Sequence, residues 1–250
     1  MENQPLNDLK FDGSGSSSGG TFGQIKINGS GRILGDLTCQ TFKINGSGHI
    51  QGSLDTDDGK INGTATIEGK VKARQFKING TCQVKDGISG DDLAISGSAT
   101  FGSIDVRQVR ISGTAKVSGD CSTDHFRSEG TFEIGGLLNS DDIDIHLYHS
   151  KSKAREIGGS RIRVTLGTAD GFNVLKAIFS LGINPTLLEC DLIEGDDIQL
   201  ENTHARTVRG RNVVIGKGCS IGLVEYSSSL TRSGDAKIGE ERKDAGQEPG

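Results

Sequence analysis

The sequence predicts an all-β fold, a parallel β-helix (β-solenoid) with coils of about 17 residues. Three observations predict it: a glycine motif recurs at a nearly constant interval, apolar residues occupy fixed positions around it, and those positions alternate with polar ones. The first copies of the motif read IKINGSG (25–31), FKINGSG (42–48), KINGTAT (60–66) and FKINGTC (76–82).

The marker glycine of each copy sets the length of a coil. Successive markers are separated by 17, 17, 17, 17, 16 and 17 residues. Because one coil cannot bury its own apolar residues, coils of this kind are stabilised by stacking on their neighbours. The marker glycines are Gly29, Gly46, Gly63, Gly80, Gly97, Gly113 and Gly130.

Apolar residues form columns around these markers. They lie two and four residues before the marker and four after it, whereas the positions between them are polar, which is the alternation of a β-strand. We therefore expect about three short strands in each coil. A further column, eight residues after the marker, is expected to point inward and contains Leu37, Leu54, Val71, Ile88, Asp105, Cys121 and Leu138.

The repeat also divides the chain into segments. A Gly/Ser-rich stretch precedes it, an irregular stretch interrupts it, and charged residues follow it. We predict a flexible tail (1–22), a first solenoid segment (23–147), an insert with a short amphipathic helix (148–187), a second solenoid segment (188–232) and a disordered tail (233–250).

Composition narrows the class of function. The net charge of −5 gives no general attraction to nucleic acid, and aromatic residues for base stacking are scarce at 4%. Five cysteines form no CxxC pair, and the first residues lack the apolar run of a signal peptide. We expect a cytoplasmic protein without disulfides, cofactor, small-molecule substrate or nucleic-acid partner.

The KINGSG and KINGT coils, followed by EGDDIQLENT (194–203), VRGRNVVIG (208–216) and GLVEY (222–226), resemble the bactofilins. The chain is most similar to the longer bactofilins of Gram-positive bacteria, over about 23–147 and 188–232. The resemblance implies a cytoskeletal scaffold that polymerises end to end without nucleotide. It also implies that the partners are further copies of the chain and the inner face of the membrane, or a protein on it.

The ends of the solenoid are the predicted polymerisation interface. Terminal coils without a polar cap expose apolar side chains and unpaired backbone groups, to which another chain can add. The predicted interface comprises Phe22, Ile25, Ile27 and Ile33 at one end and Leu223, Val224 and Tyr226 at the other.

Two charged features are predicted on the outer surface. A basic stripe stands three residues before the marker glycines, and an acidic corner lies on the same coils. The two suggest lateral pairing between filaments, or docking on anionic lipid or an acidic partner. Solvated charges explain both features equally well, because exposed ion pairs contribute little. The stripe comprises Lys26, Lys43, Lys60, Lys77, Arg110 and Arg127; the corner comprises Asp57, Asp58, Asp91, Asp92, Asp124, Asp141 and Asp142.

The insert contains the most apolar window outside the coils, GFNVLKAIFSLG (171–182). Phe172, Leu175, Ile178 and Phe179 share one face of a short helix there. That face is suited to contact with a membrane or partner, or to packing against the solenoid.

No constellation of catalytic or metal-binding residues is predicted. Asp142, Asp144 and His146 alternate along one strand face, but this pattern equally describes an exposed strand, and no nucleophile and base occur at a recognisable spacing. Two alternatives to a scaffold remain. IGKGCSIG (215–222) resembles the hexapeptide repeat of left-handed β-helix acyltransferases, and the basic stripe would suit a monomeric binding module for an anionic partner.

Overall fold

A computed structural model of the protein describes residues 6–148, 150–167 and 186–244. Its strands pair in parallel, coil upon coil, which confirms the predicted β-solenoid. The chain divides into two compact units, residues 1–124 and 125–250. Strand β13 (Cys121–Ser128) crosses the division.

The first unit is built from short strands that alternate in length between eight and four residues before merging into longer ones. Its strands are β1 (Leu9–Phe11), β2 (Ser14–Ser17), β3 (Gly20–Ile27), β4 (Ser30–Ile33), β5 (Leu37–Ile44), β6 (Ser47–Ile50), β7 (Leu54–Ile61), β8 (Thr64–Ile67), β9 (Val71–Ile78), β10 (Thr81–Ile95), β11 (Ser98–Ile111) and β12 (Thr114–Val117).

The register of the first unit follows the repeat. The isoleucine two residues before each marker glycine pairs with its equivalent in the next coil, and all of them are buried. Stacked strands lie about 4.8 Å apart, so identical side chains form continuous columns. This isoleucine column comprises Ile27, Ile44, Ile61, Ile78, Ile95 and Ile111.

Each coil of the first unit has three sides. Within β5, Leu37 and Cys39 point inward, and so do Phe42 and Ile44. The three-residue step from Cys39 to Phe42 resets the alternation of the strand and marks a corner. The third side is β6, and Gly46 lies at the corner before it. The inward column of Cys39, Thr56 and Ala73 is an additional one that the sequence analysis did not identify.

One predicted core position is wrong. Ile88 pairs with Ile104 rather than Asp105, and Ile104 is buried while Asp105 is exposed. The coil between Gly97 and Gly113 is one residue shorter than its neighbours. The difference falls at a corner, where the register with the preceding coil shifts between Val84 and Gly87. The strand on either side of that corner therefore keeps its inward positions.

The prediction of a flexible tail over 1–22 is wrong for residues 9–22. Leu9 and Phe11 of β1 pair with Ile25 and Ile27, and β2 pairs with β4. The segment LKFDGSG (9–15) is therefore a further copy of the motif, and it forms a coil stacked on the first predicted one.

The second unit is less regular. Partners in its coils are separated by 20 and then 19 residues between β14 and β15, by 15 between β16 and β17, and by 17 between β18 and β19. Its strands after β13 are β14 (Thr131–Leu147), β15 (Ser152–Leu166), β16 (Leu188–Leu200), β17 (Thr203–Ile215), β18 (Ser220–Arg232) and β19 (Lys237–Lys243).

Two predicted segments of the second unit require correction. The predicted insert (148–187) contains β15, a solenoid strand that pairs with β14 on one side and β16 on the other. The ladder from β14 to β19 is therefore continuous. The predicted disordered tail (233–250) contains β19, which pairs with β18.

Candidate interaction surfaces

The predicted interface in the first unit lies one coil inside the edge of the described ladder. Ile25, Ile27 and Ile33 are fully buried, and β1 and β2 stack on the strands that contain them. Phe22 is half-buried and pairs with Cys39. The prediction that these residues form a terminal rung is therefore wrong.

The outermost described coil of the first unit is thin and partly apolar. Leu9 and Phe11 point inward but are only half-buried, and Leu6 is 47% exposed. The Phe11 ring lies over two glycines: a Cβ on Gly15 would be 2.3 Å from the ring, and one on Gly31 would be 3.0 Å from it. The phenyl ring thus replaces the side chains that these two coils lack.

The predicted interface in the second unit is also covered. Leu223, Val224 and Tyr226 of β18 pair with Glu240, Glu241 and Lys243 of β19, and Val224 is fully buried. Apart from the half-buried Ile238, the side chains of β19 are mostly charged and exposed. The prediction that these three residues form a terminal rung is wrong as well.

The basic stripe exists in the first unit, where Lys26, Lys43, Lys60 and Lys77 pair in register. Among the described residues, none of these four lysines forms an ion pair. We call these four residues the lysine ladder. The remaining members differ: Arg110 binds Asp92 at 2.8 Å, and Arg127, which belongs to the second unit, binds Glu129 at 2.8 Å.

A ladder of asparagines runs beside the lysine ladder. Asn45 Nδ2 donates to Asn28 Oδ1 at 2.7 Å, Asn62 donates to Asn45 at 2.8 Å, and Asn79 donates to Asn62 at 2.9 Å. At the outer end, Asn28 donates to Asp12 Oδ1 at 2.7 Å. Asn28, Asn45 and Asn62 each donate one of these bonds and accept another, so neighbouring carboxamides satisfy one another.

The predicted acidic corner is partly neutralised within each unit. In the first unit, Arg107 lies 3.6 Å from Asp91 and 3.7 Å from Asp124, and Asp92 binds Arg110. These contacts weaken the case for lateral pairing between the corner and the basic stripe.

The second unit contains an alternating charge ladder that the sequence analysis missed. Arg209 lies between Glu194 (3.2 Å) and Glu225 (2.9 Å), and Arg242 binds Glu225 at 3.0 Å. The hydrogen bond with Glu225 raises the pKa of the Arg209 guanidinium. The variable coil lengths of this unit conceal the register that brings these charges together.

The run of Asp142, Asp144 and His146 is held by hydrogen bonds. Arg161 Nε donates to Asp142 at 2.9 Å and so lowers the pKa of that carboxyl, while His146 contacts Asp144 and Thr165, each at 3.1 Å. Among the described residues, no three His, Cys, Asp or Glu side chains are arranged to hold a metal ion.

The cysteines pack in the interior of the coils. All five are buried and unpaired. Burial raises the pKa of the Cys82, Cys121 and Cys190 thiols to about 12, so these thiols stay protonated near neutral pH and are poor nucleophiles.

The predicted contact residues of the insert, Phe172, Leu175, Ile178 and Phe179, lie outside the described residues. Within the described ranges, no helix has the length and hydropathy that a membrane crossing requires.

Comparison with known proteins gives two partial relatives, both from Bacillus subtilis (strain 168). The uncharacterized protein YhbF is 40% identical over 101 residues, which cover 40% of this chain and 39% of YhbF. The uncharacterized protein YhbE is 42% identical over 94 residues, which cover 38% of this chain and 37% of YhbE. The chain therefore matches about two fifths of the length of either relative. No protein-family model and no solved structure matches the chain.

Proposed function

We propose that the protein is a polymer-forming scaffold whose copies add to one another through the edges of their solenoid sheets. The observation that carries the proposal is the free edge of the first unit. Among the described strands, β1 pairs only with β3 and β2 only with β4. The other edge of each strand is therefore available to a strand of a second copy.

The backbone of β2 shows which groups a second copy would meet. Ser30 N donates to the Gly13 carbonyl, and Leu34 N donates to the Ser17 carbonyl. Because successive residues of a strand direct their backbone groups to opposite edges, Ser14 and Ser16 direct theirs away from β4. An added strand can bond to these groups in the parallel register of the unit.

The side chains of this coil support the same proposal. Leu9 and Phe11 remain half-buried, so a further coil would remove more of their apolar surface from water. The resemblance of the KINGSG coils to the bactofilins is consistent with end-to-end assembly.

Negative-stain electron microscopy of the purified full chain, at physiological salt and without nucleotide, tests the proposal. We expect filaments of uniform width. Discrete particles, together with a monomeric mass by light scattering, would overturn it.

A proline at the free edge tests the mechanism. Ser16→Pro removes one outward N–H, and proline is tolerated on an edge strand because that N–H has no ladder partner. We expect the variant to fold and to lose filaments, whereas the matched control Ser16→Ala should keep them. Filaments of unchanged length and number in a folded Ser16→Pro protein would show that this edge is not the junction.

A further inference from the structure

The lysine ladder places four positive charges in one column on successive coils. Lys26, Lys43, Lys60 and Lys77 are consecutive partners in the parallel register, about 4.8 Å apart from coil to coil. Their ammonium groups form no ion pair with a described carboxylate. By contrast, Arg110 of the same column is held by Asp92.

Two carboxylates stand near the ladder: Asp12 at the outer end of the asparagine ladder, and Asp58, two residues before Lys60 on the outward face of β7. The residues that follow each lysine are uncharged or cationic. The four segments 26–32, 43–49, 60–66 and 77–83 contain the four lysines and Arg32 but no Asp or Glu. Their outward positions add the asparagine ladder and a row of hydroxyls. These hydroxyls belong to Ser30, Ser47, Thr64 and Thr81.

A shallow channel of about 380 Å³ lies on the third side of these coils, across the Asn–Gly corner from the lysine ladder. One wall is formed by Ser14, Ser30, Ser47 and Thr64, and the other by Arg32, His49 and Thr66. The floor is the backbone of Gly15, Gly31 and Gly48, whose absent side chains would point into the core rather than into the channel. The residues that line the channel include no carboxylate, and Glu68 lies 3.2 Å from His49 of its second wall.

We propose that the lysine ladder and the adjoining channel bind an extended, unbranched phosphate polymer that runs along the stacked coils of the first unit. Lysines supply point charges for phosphate, and hydroxyl and amide groups donate to its remaining oxygens. The ligand is a chain rather than a flat surface, because the four lysines stand in a single column and the channel runs along the neighbouring side of the same coils. Nucleic acid is the less suitable chain, because the four segments contain no Phe, Tyr or Trp for base stacking. The proposal is independent of end-to-end assembly.

The test measures binding of fluorescent inorganic polyphosphate of defined length to the full chain by anisotropy. If the four lysines each neutralise one phosphate, a slope of about −0.7 per contact predicts that affinity falls about 50-fold between 50 and 200 mM salt. The variant Lys26→Gln/Lys43→Gln/Lys60→Gln/Lys77→Gln should bind at least about tenfold more weakly at 50 mM salt, with a shallower slope. A control with the same net charge is Lys70→Gln/Lys217→Gln/Lys237→Gln/Lys243→Gln, which should bind as the unchanged protein does.

A charge-conserving variant and three other anionic ligands serve as controls for the polyphosphate measurement. A quadruple Lys→Arg ladder variant should retain binding, so a loss through misfolding of the Gln variant is distinguishable. Equal loss in the control variant, or no binding of polyphosphate, would overturn the proposal. Tighter binding of polyglutamate, of single-stranded DNA or of anionic lipid vesicles at the same charge concentration would also overturn it, in favour of that ligand.

Discussion

The two units stack charged and polar residues in different ways. In the first unit, a column repeats one residue type: asparagine on asparagine and lysine on lysine. In the second unit, a column alternates in sign, as in Glu194, Arg209, Glu225 and Arg242. A regular repeat therefore creates identical neighbours, whereas variable coils can place opposite charges next to one another.

The consequence depends on the chemistry of the repeated group. An amide can donate to the copy below and accept from the copy above, so repetition stabilises it. An ammonium group only donates, so repetition leaves four lysines to repel one another. The lysine ladder is therefore free to attract an anion, whereas the charges of the alternating column in the second unit are already paired with one another.

The largest expected effect concerns how closely the coils approach. A Cβ on Gly63 would lie 2.0 Å from the Gly46 carbonyl oxygen, whereas a Cβ on Gly158 would meet nothing closer than 3.5 Å. We expect Gly63→Ala to lower the free energy of unfolding by about 3 kcal/mol, because backbone of the adjacent coil must move. The matched change Gly158→Ala should alter it by less than about 0.5 kcal/mol.

Urea denaturation of both variants measures this difference. Equal losses for Gly63→Ala and Gly158→Ala would show that the clearance to the adjacent coil does not decide the cost of an added methyl group at these two positions.

The second effect concerns the alternating charge ladder. The Glu225 side chain is 14% exposed and accepts from both Arg209 and Arg242. We expect Glu225→Gln to cost about 1 kcal/mol at low salt, a value reduced for the solvent around the two half-exposed arginines. The cost should shrink at about 1 M salt, where charges are screened within about 3 Å. A cost unchanged by salt, in urea denaturation at both ionic strengths, would contradict an electrostatic origin.

Much of the fold could be predicted because the apolar residues that point inward recur at a nearly constant interval in the sequence. The isoleucine column and its inward direction follow from spacing alone. The coil at residues 9–17 was missed because its Gly/Ser composition is typical of a flexible segment, although LKFDGSG matches IKINGSG position by position. The position of Ile104 was missed because a deleted residue between two markers can be absorbed at any corner between them.

Spacing predicts the column of the lysine ladder but not which of its charges are paired. The four lysines stand three residues before successive marker glycines, so their alignment in one column can be predicted from the sequence. Whether a carboxylate reaches a lysine depends on side chains from other columns, which spacing does not specify. In the second unit, the coil lengths change. No recurring spacing in the sequence therefore indicates that Arg209 lies next to Glu225.

The third effect concerns the asparagine ladder. Asn62→Ala removes the bond to Asn45 and the bond from Asn79, and leaves one donor and one acceptor without their partners. Since these groups are exposed to water, we expect a loss of about 1 kcal/mol in the free energy of unfolding. Ser112→Ala, in the same column but outside the ladder, is the control and should stay within about 0.5 kcal/mol of the unchanged protein. Equal losses would show that the amide stack adds nothing.

The smallest effect has the opposite sign and is the most direct test of the lysine ladder. Lys60 lies between Lys43 and Lys77 and has no carboxylate partner among the described residues, so Lys60→Gln removes repulsion without breaking an ion pair. We expect the free energy of unfolding to rise by a few tenths of a kcal/mol at about 10 mM salt, and this gain to vanish at about 1 M salt. Lys72→Gln serves as the control, because Lys72 lies 3.9 Å from Asp55 and its neutralisation should not stabilise the protein. Urea denaturation of Lys60→Gln and Lys72→Gln at both ionic strengths measures the four changes in the free energy of unfolding. A loss of stability in Lys60→Gln at low salt would mean that this ammonium group has an anionic partner within the chain, and the lysine ladder would then no longer be available to a phosphate polymer.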